Sequence, residues 1–264
     1  MEVDESPISF EYLRKFNFFM GALHLVQAFI MVGLGFFNDF SRDVYTFYLK
    51  FEVENGNATS IEPNPEVFFT VDWVGPLVAS FLFLSAIAHF SVAGPFYDSY
   101  VQNLQKKMNP YRWVEYAFSS SIMIAFIALL FGVWDFWALF LIFMMNTMMI
   151  LFGWLMELHN QTTEKTDWTA FIFGSVAGIV PWVVITAYFL NIQVTGGEVP
   201  DFVYAIYFVE FVLFNCFAIN MVLQYKHIGP WKDYLYGERF YIILSLVAKT
   251  ALAWLVFAGT FQPD

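Results

Sequence analysis

Charged residues are scarce in this sequence. Asp, Glu, Lys and Arg together make up 13% of its 264 residues, whereas soluble globular proteins carry roughly 25%. That shortage excludes an ordinary water-soluble fold. The hydrophobic share is 59% and the aromatic share is 22%, with 34 phenylalanines, more than the core of one domain needs. Part of this apolar surface is therefore expected to face lipid.

Cysteine and basic residues are also few. The single cysteine, Cys216, excludes an intramolecular disulfide framework and a cysteine-based zinc site. Twelve basic residues against 23 acidic ones give a net charge of −11, which argues against a nucleic-acid partner because the phosphate backbone attracts basic surfaces. We expect no metal site and no enzymatic activity.

The apolar residues form runs of the length that a membrane-spanning helix needs, ~20 residues for a bilayer core of ~30 Å. Seven runs cover approximately residues 16–37, 73–96, 111–133, 136–158, 168–190, 202–225 and 240–261. The N-terminus is acidic and has no small-residue cleavage site before the first run, so a retained helix is predicted rather than a signal peptide. The sequence predicts an all-α membrane protein, one domain over residues 1–264 with seven transmembrane helices.

The loop charges predict the orientation of these helices, because basic residues favour the cytoplasmic side. Nine basic residues fall on the side of the N-terminus: Arg14, Lys15, Lys106, Lys107, Arg112, Lys165, Lys226, Lys232 and Arg239. Only Arg42 and Lys50 fall on the other side. We therefore expect a protein of the cell or plasma membrane with a cytoplasmic N-terminus and an extracellular C-terminus.

The first loop, residues 38–72, is too long for a simple connection. Residues 44–54 are rich in β-branched and aromatic side chains, Asn55-Gly56 follows, and a second short run covers 58–61. Asn-Gly between two such runs is a hairpin signal, so a small extracellular β-hairpin is predicted. The seven acidic residues of this loop are interpreted as a solvated face rather than a metal site.

Lys249 is the ionisable residue placed deepest in an apolar run. It lies about ten residues into the seventh run, which corresponds to a depth of ~15 Å. A lysine stem cannot easily reach either membrane surface from there. A buried lysine needs a charged partner or a covalent fate, and burial favours the neutral, nucleophilic amine that forms a Schiff base with an aldehyde.

Two carboxylates within the apolar runs are candidate partners for Lys249: Glu115 in the third run and Glu210 in the sixth. Glu115 has an alternative interpretation as an i,i+3 ion pair with Arg112 near the inner surface. It also lies only ~8 Å inside if its helix starts near residue 110. A pair with Lys249 therefore requires an earlier helix start, or helix tilt together with the long lysine stem.

Two histidines add to the polar pattern. His24 in the first run and His89 in the second lie at similar depth, on the inner side of Lys249. Ser85 lies one helical turn from His89. A single buried histidine is usually a structural hydrogen-bonding group, but two at one level near Glu115 indicate a polar cluster. Imidazoles titrate near neutrality and suit transient proton acceptance.

Several stretches closely resemble the heliorhodopsin family of microbial-type retinal proteins. They are RWVEYAFSSSIMI from Arg112, NTMMILFGWL from Asn146, FGSVAGIVPW from Phe173 and GERFYIILSLVAKTALAW from Gly237. The resemblance extends over essentially the whole chain and implies a rhodopsin-like seven-helix bundle. It further implies that Lys249 carries retinal, all-trans in the dark, as a protonated Schiff base with Glu115 as counterion. The family's inverted orientation agrees with the loop charges.

The resemblance also implies roles for further residues. Those expected around the Schiff base and chromophore are Ser85, Ser120, Asn146, Met149, Gly153 and Phe214, and those expected in the inner polar cluster are His24 and His89. Tyr116 and Ser119 are further pocket candidates because they neighbour Glu115 on its helix. For most methionines of the run FMMNTMM, the alternative is adaptable packing. In this family the hairpin of the first loop helps to form a homodimer, which we expect here as well.

Glu210 leaves the function open between two light-driven classes. Its spacing with Phe214, Phe217 and Met221 predicts that it faces the bundle interior. It is either a protonated, hydrogen-bonded glutamic acid or an outward extension of the polar chain. The first function is a light sensor that passes a Schiff-base proton to the inner cluster and signals to a cytoplasmic partner; the second is a light-gated proton or ion conductor. A retinal-free receptor or scaffold is the third alternative.

Overall fold

A computed structural model describes residues 6–54, 57–196 and 200–260 of the chain. These residues form eight α-helices and one β-hairpin. The elements are α1 (Phe10–Gly35), β1 (Arg42–Glu54), β2 (Asn57–Val71), α2 (Val74–Ala93), α3 (Tyr97–Gln105), α4 (Pro110–Leu130), α5 (Phe136–His159), α6 (Thr169–Val194), α7 (Asp201–Tyr225) and α8 (Tyr234–Thr260).

Seven of these helices, all except α3, are long and apolar enough to cross a membrane. This confirms the seven predicted spans. The first and last helices begin six residues before their apolar runs. Their first turns are polar, so a search for apolar runs does not detect them, although a capping side chain stabilises each. The Ser9 hydroxyl accepts a hydrogen bond from Tyr12 N at the start of α1, and the Asp233 carboxylate accepts one from Leu235 N at the start of α8.

The short helix α3 was not predicted from the sequence. It is amphipathic and buries Tyr100 and Leu104 against the end of the bundle at which α1 begins. We call this end the basic end, because the loops at 94–109, 160–168 and 226–233 lie there and carry five of the twelve basic residues. Helix α3 thus brings a tyrosine into the bundle interior from a connecting segment.

The predicted hairpin is present, and β2 ends ten residues later than expected, at Val71. Strands β1 and β2 pair antiparallel, with Phe51 opposite Ile61 and Arg42 opposite Val71. Two prolines, Pro63 and Pro65, obscured the strand pattern. Both strands of a two-stranded sheet are edges, and proline is tolerated where its missing N–H would face away from the partner strand. The predicted turn Asn55-Gly56 lies outside the described residues.

The base of the hairpin is fixed to the connection between α4 and α5. Tyr45 N donates to Trp134 O at 2.8 Å, and the Trp137 indole donates to the Tyr48 hydroxyl at 3.1 Å. Val44 and Val71 are buried beneath it. The strands are therefore held against the bundle at one end while their other end extends outward.

Helices α4 and α8 lie at the centre of the bundle. In their most apolar stretches 61% and 56% of the residues are buried, against 17% in α5 and α7. Many phenylalanines on the outer helix faces are exposed, including Phe18, Phe29 and Phe173, which accounts for the aromatic surplus as lipid-facing surface. The functional groups predicted on α4 and α8 thus belong to the two central helices.

Candidate functional site

Lys249 on α8 and Glu115 on α4 form an ion pair inside the bundle. Lys249 Nζ lies 3.3 Å from Glu115 Oε1, and the two side chains are 3% and 7% exposed. Lys249 also donates to Ser245 Oγ at 2.7 Å, and Ser85 donates to Glu115 Oε1 at 2.6 Å. The amine is thus held by a serine one turn away on its own helix, and the carboxylate is held by a serine of α2.

The reach of the lysine stem closes the difference in depth between the two residues. Helix α4 begins at Pro110, where the Asn109 side chain accepts from Arg112 N at 3.2 Å, so an earlier start does not explain the contact. Side chains on a helix lean toward its N-terminus. Lys249 accordingly extends back one turn to Ser245, toward the basic end and toward Glu115.

Arg112 does not pair with Glu115; the alternative interpretation of Glu115 is wrong. The Arg112 guanidinium contacts two other buried carboxylates, Glu238 through Nη1 and Glu157 through Nη2, the latter at 2.5 Å. We call Arg112, Glu157 and Glu238 the buried triad. A guanidinium presents donors on two sides in a fixed fork, which lets one arginine bridge carboxylates from α5 and α8.

Neutral donors complete the hydrogen bonding of the triad. Asn109 donates to both carboxylates, through its backbone N to Glu157 at 2.9 Å and through Nδ2 to Glu238 at 2.6 Å. Glu157 also accepts hydrogen bonds from Trp113 Nε1 and Tyr234 Oη, and Glu238 accepts one from Tyr100 Oη. Buried charge is stable only when paired and hydrogen-bonded in this way.

Sequence reasoning missed both carboxylates of the triad. Glu157 lies inside the predicted fourth span, so the rule that flags ionisable groups within apolar runs applied to it as much as to Glu115. Glu238 lay just outside the predicted seventh span because α8 starts earlier than its apolar run. Asp233 is a typical N-cap residue and indicates that the helix starts at residue 234. Recognising this cap would have placed Glu238 inside the seventh helix.

The two histidines lie against each other between α1 and α2. Their ring centroids are 5.5 Å apart with an interplanar angle of 15°. His89 Nδ1 lies 2.7 Å from Asn17 Oδ1. His24 is fully buried, and neither of its ring nitrogens has a hydrogen-bond partner among the described residues. One imidazole is therefore tied to a neighbour and the other has unused hydrogen-bonding capacity.

A small cavity joins the Lys249 site to the buried triad. Its volume is about 40 Å³, and its wall includes His89 and Glu115 together with Tyr100, Arg112 and Glu238. A cavity with several polar partners and this volume has room for a few water molecules. Polar groups thus line a continuous route from Glu115 toward the basic end.

The predicted chromophore residues fall into two groups. Tyr116 lies beside the lysine, with Lys249 Nζ 5.1 Å from the centre of its ring, and Ser119 Oγ is buried without a partner among the described residues. Ser120 and Asn146 bond to each other at 2.8 Å between α4 and α5. Sequence reasoning placed all four around the chromophore; among the described contacts only Tyr116 meets Lys249.

Met149, Gly153 and Phe214 occupy close-packed positions on α5 and α7. A Cβ at Gly153 would lie 2.5 Å from the Trp113 ring, so glycine permits the contact between α5 and α4. A Cβ at Gly178 of α6 would clash with Met149. Phe214 packs edge-on to Trp182 at 5.6 Å. These side chains form aromatic and sulfur-containing walls within the bundle.

Glu210 is fully buried on α7, and neither carboxylate oxygen has a hydrogen-bond partner among the described residues. Glu210 was predicted to be either a protonated, hydrogen-bonded glutamic acid or an extension of the polar chain. For the first alternative, the described residues supply no hydrogen-bond partner. An unpaired buried carboxyl costs several kcal/mol as a charge, so its presence in the bundle calls for a functional explanation.

Comparison with models of protein families matches residues 13–261 to heliorhodopsin. The chain belongs to the heliorhodopsin family. No curated protein matches the chain. Heliorhodopsins are light-sensing membrane proteins with a retinal chromophore, so this heliorhodopsin is an integral membrane photoreceptor of the rhodopsin type.

The residues around Lys249 fit a retinal chromophore. Lys249 is the only buried lysine among the described residues, and an amine shielded from water is the form that reacts with an aldehyde such as that of retinal. Aromatic rings suited to a long polyene lie nearby, with Tyr116 packed edge-on to Phe217 at 5.3 Å and Phe214 one turn earlier on α7. The amine, the carboxylate and the aromatic walls of this heliorhodopsin are thus brought together by α4, α7 and α8.

Proposed function

We propose that this heliorhodopsin is a light sensor in which Lys249 holds retinal as a protonated Schiff base and Glu115 is the counterion. The observation that carries the proposal is the 3.3 Å separation of Lys249 Nζ and Glu115 Oε1 in the bundle interior. Retinal, when bound, supplies light absorption and photoisomerisation. The remaining steps depend on the protein's own side chains.

Glu115 stabilises positive charge on the lysine nitrogen. At about 3 Å in a water-poor interior, opposite charges attract far more strongly than in bulk water. Ser85 orients the carboxylate through its 2.6 Å hydrogen bond, and Ser245 holds the nitrogen from the other side. This arrangement keeps a cation that would otherwise be costly to bury.

The inner polar cluster of His24 and His89 is the proposed proton acceptor. His89 and Glu115 line the same cavity, so a proton that leaves the lysine nitrogen has polar groups within reach on this side. Asn17 fixes the His89 ring at 2.7 Å. A neutral imidazole nitrogen can take up a proton transiently, and charging the stacked pair would push the two rings apart.

Movement of α8 is the proposed conformational signal. Lys249 and Glu238 are on the same helix, and Glu238 contacts Arg112 at the basic end. A shift of α8 at Lys249 therefore disturbs the buried triad, which contacts the loops proposed to face a cytoplasmic partner. Packed helices and ion pairs respond to such shifts by switching between discrete arrangements.

The hairpin supports the proposed homodimer. Phe47, Leu49 and Phe51 alternate along β1 and so share one face of the sheet, where they are 49–57% exposed. Their cross-strand partners on that face are Pro65, Pro63 and Ile61. An apolar strip of this kind is covered in a stable protein by a partner or by lipid; we propose a second copy.

Absorption spectroscopy tests the light-sensing proposal. Purified protein mixed with all-trans retinal should develop a visible band that changes on illumination and recovers in the dark. Lys249→Ala should develop no such band, whereas the exposed-lysine control Lys50→Ala should match the wild type. An unchanged band in Lys249→Ala, or no band in the wild type, would leave the retinal-free receptor as the better account.

A second function, light-gated conduction, is favoured by Glu210. This fully buried carboxyl lies on α7 without a partner among the described residues and offers a proton-exchanging group on the other side of Lys249 from the histidines. Voltage-clamp recording tests it. Photocurrents that vanish in Glu210→Gln support conduction, and well-expressed protein without photocurrent removes it.

A further inference from the structure

A second, larger pocket opens at the basic end of the bundle. Its volume is about 280 Å³, close to the lower limit of ligand sites at ~300 Å³. Three connections contribute to its wall, those at 106–107, 160–166 and 227–232. The proposed light-driven chemistry uses none of these loop residues.

The wall of this pocket is strongly basic for a chain of net charge −11. It includes the four lysines Lys106, Lys107, Lys165 and Lys232, together with His227 and a single carboxylate, Glu164. None of these lysines has an ion-pair partner in the part of the chain that the structure describes. The carboxylate next to Lys232, that of Asp233, is already engaged by Ser6 and by Leu235 N.

Helix ends do not neutralise this charge. The C-termini of α3, α5 and α7 lie at this end, and each carries the equivalent of about half a negative charge. Together they offset at most about one and a half of the positive charges. Four lysines against one glutamate therefore leave the wall with a positive excess even after the helix ends are counted.

The backbone places two of the basic side chains in an unusual conformation. Lys107 and His227 are the only described non-glycine residues with positive φ, at 55° and 52°. Both follow the end of a helix, where glycine is the usual residue because the left-handed region costs other residues roughly 1 kcal/mol. Both contribute to the pocket wall. The chain thus keeps a basic side chain facing this pocket at positions where glycine would be less strained.

Uncharged groups in the wall supply hydrogen bonding suited to an anion. Asn160 Oδ1 accepts from Asp167 N at 2.7 Å and from Thr163 Oγ1 at 3.0 Å, which folds the 160–166 loop around the pocket. Thr166 and Gln161 add a hydroxyl and an amide. Lysine amines with hydroxyl and amide donors are the groups that bind phosphate oxygens.

We propose that this pocket binds a small phosphate-bearing anion, either a soluble organic phosphate or the phosphorylated headgroup of a membrane lipid. Both sources present the same chemistry, a compact cluster of negative oxygens matching Lys106, Lys107 and Lys232. The floor of the pocket includes Tyr234, which donates to Glu157 of the buried triad at 3.3 Å. A bound anion therefore sits next to the polar route that leads to Glu115.

Calorimetric titration with inorganic pyrophosphate tests the site in purified full-length protein. We expect saturable binding that weakens as salt is raised. Lys→Gln changes at Lys106, Lys107 and Lys232 should each weaken binding by about tenfold, the value of a charge-assisted hydrogen bond. The matched control Lys15→Gln, an exposed lysine at the same end of the bundle outside the pocket, should bind like the wild type. These side chains are exposed, so folding is preserved and is checked by thermal unfolding.

Nanodiscs distinguish the two sources of phosphate. Competition with pyrophosphate by a phosphorylated inositol lipid, but not by phosphatidylcholine, identifies a headgroup site. Pyrophosphate binding that the phosphorylated lipid leaves unchanged identifies a soluble ligand. Two results would overturn the proposal: no pyrophosphate binding in either preparation, or binding by the triple Lys→Gln variant equal to that of the wild type. The lysines would then serve only to orient the protein in the membrane.

Discussion

Lys249 and Glu115 meet at 3.3 Å although they lie at different distances from the starts of their helices. Lys249 is fifteen residues from the start of α8, whereas Glu115 is five residues from the start of α4. The lysine stem leans back one turn toward Ser245 and the start of α8, and this direction contributes to the contact. The pair therefore depends on the length and direction of one side chain, and shorter replacements should break it.

Glu115→Gln removes the charge opposite the lysine nitrogen and should change the visible band. We expect a shift to the red, or loss of the band if the nitrogen releases its proton, because the cation loses its stabilising partner. Absorption spectra of the retinal-bound protein measure this. Glu62→Gln, on the exposed hairpin, is the matched control, and an unaltered spectrum in Glu115→Gln counts against the counterion role.

Ser85→Ala should shift the same band by less than Glu115→Gln. The substitution removes the 2.6 Å hydrogen bond to Glu115 and leaves the carboxylate in place. Ser80 on the same helix bonds only to Leu77 O among the described contacts, so Ser80→Ala controls for loss of a helical serine. Equal spectra for the two variants would show that Ser85 does not orient the counterion.

Arg112→Gln should destabilise the protein strongly. It leaves the Glu157 and Glu238 carboxylates buried without their cation, which costs about 3–5 kcal/mol. Thermal unfolding in detergent measures the loss, and Arg42→Gln in the exposed hairpin serves as control. The triple variant in which Glu157 and Glu238 are also glutamine should recover much of the stability; no recovery would contradict the ion-pair explanation.

His89→Ala should slow the light-induced absorption changes that accompany proton transfer. His89 lines the cavity shared with Glu115 and is the acceptor closest to that route. Flash photolysis measures the time constants. His159→Ala, a partly exposed histidine at the end of α5, provides the comparison, and identical kinetics in all three proteins would remove His89 from the proton route.

Leu49→Glu should convert a dimer to a monomer. The change puts charge on the exposed apolar face of the hairpin, where desolvating it across an interface is costly. Light scattering in detergent measures the mass. Lys50→Glu alters the opposite face of the same strand and should leave the dimer intact; dissociation by both variants, or by neither, would place the interface elsewhere.

The sequence predicted those features that depend on local pattern. Seven apolar runs and the hairpin signal after residue 44 were sufficient for the architecture, and the placement of Lys249 within its run identified the central group. The start of α8 at Tyr234 was missed because hydropathy ignores capped polar turns. Glu238 was missed for the same reason. Glu157 lay inside a predicted span, but its pairing with Arg112 depends on how three helices pack, which local pattern does not show.

Mapping of the retinal attachment site tests the central claim most directly. Borohydride reduction of the illuminated or dark protein fixes the chromophore on the nitrogen that carries it, and peptide mass spectrometry then locates it. If Lys249 carries the chromophore, retinal is found on the peptide containing Lys249 and the exposed lysines carry none. Retinal on another lysine, or none retained after reduction, would contradict the claim.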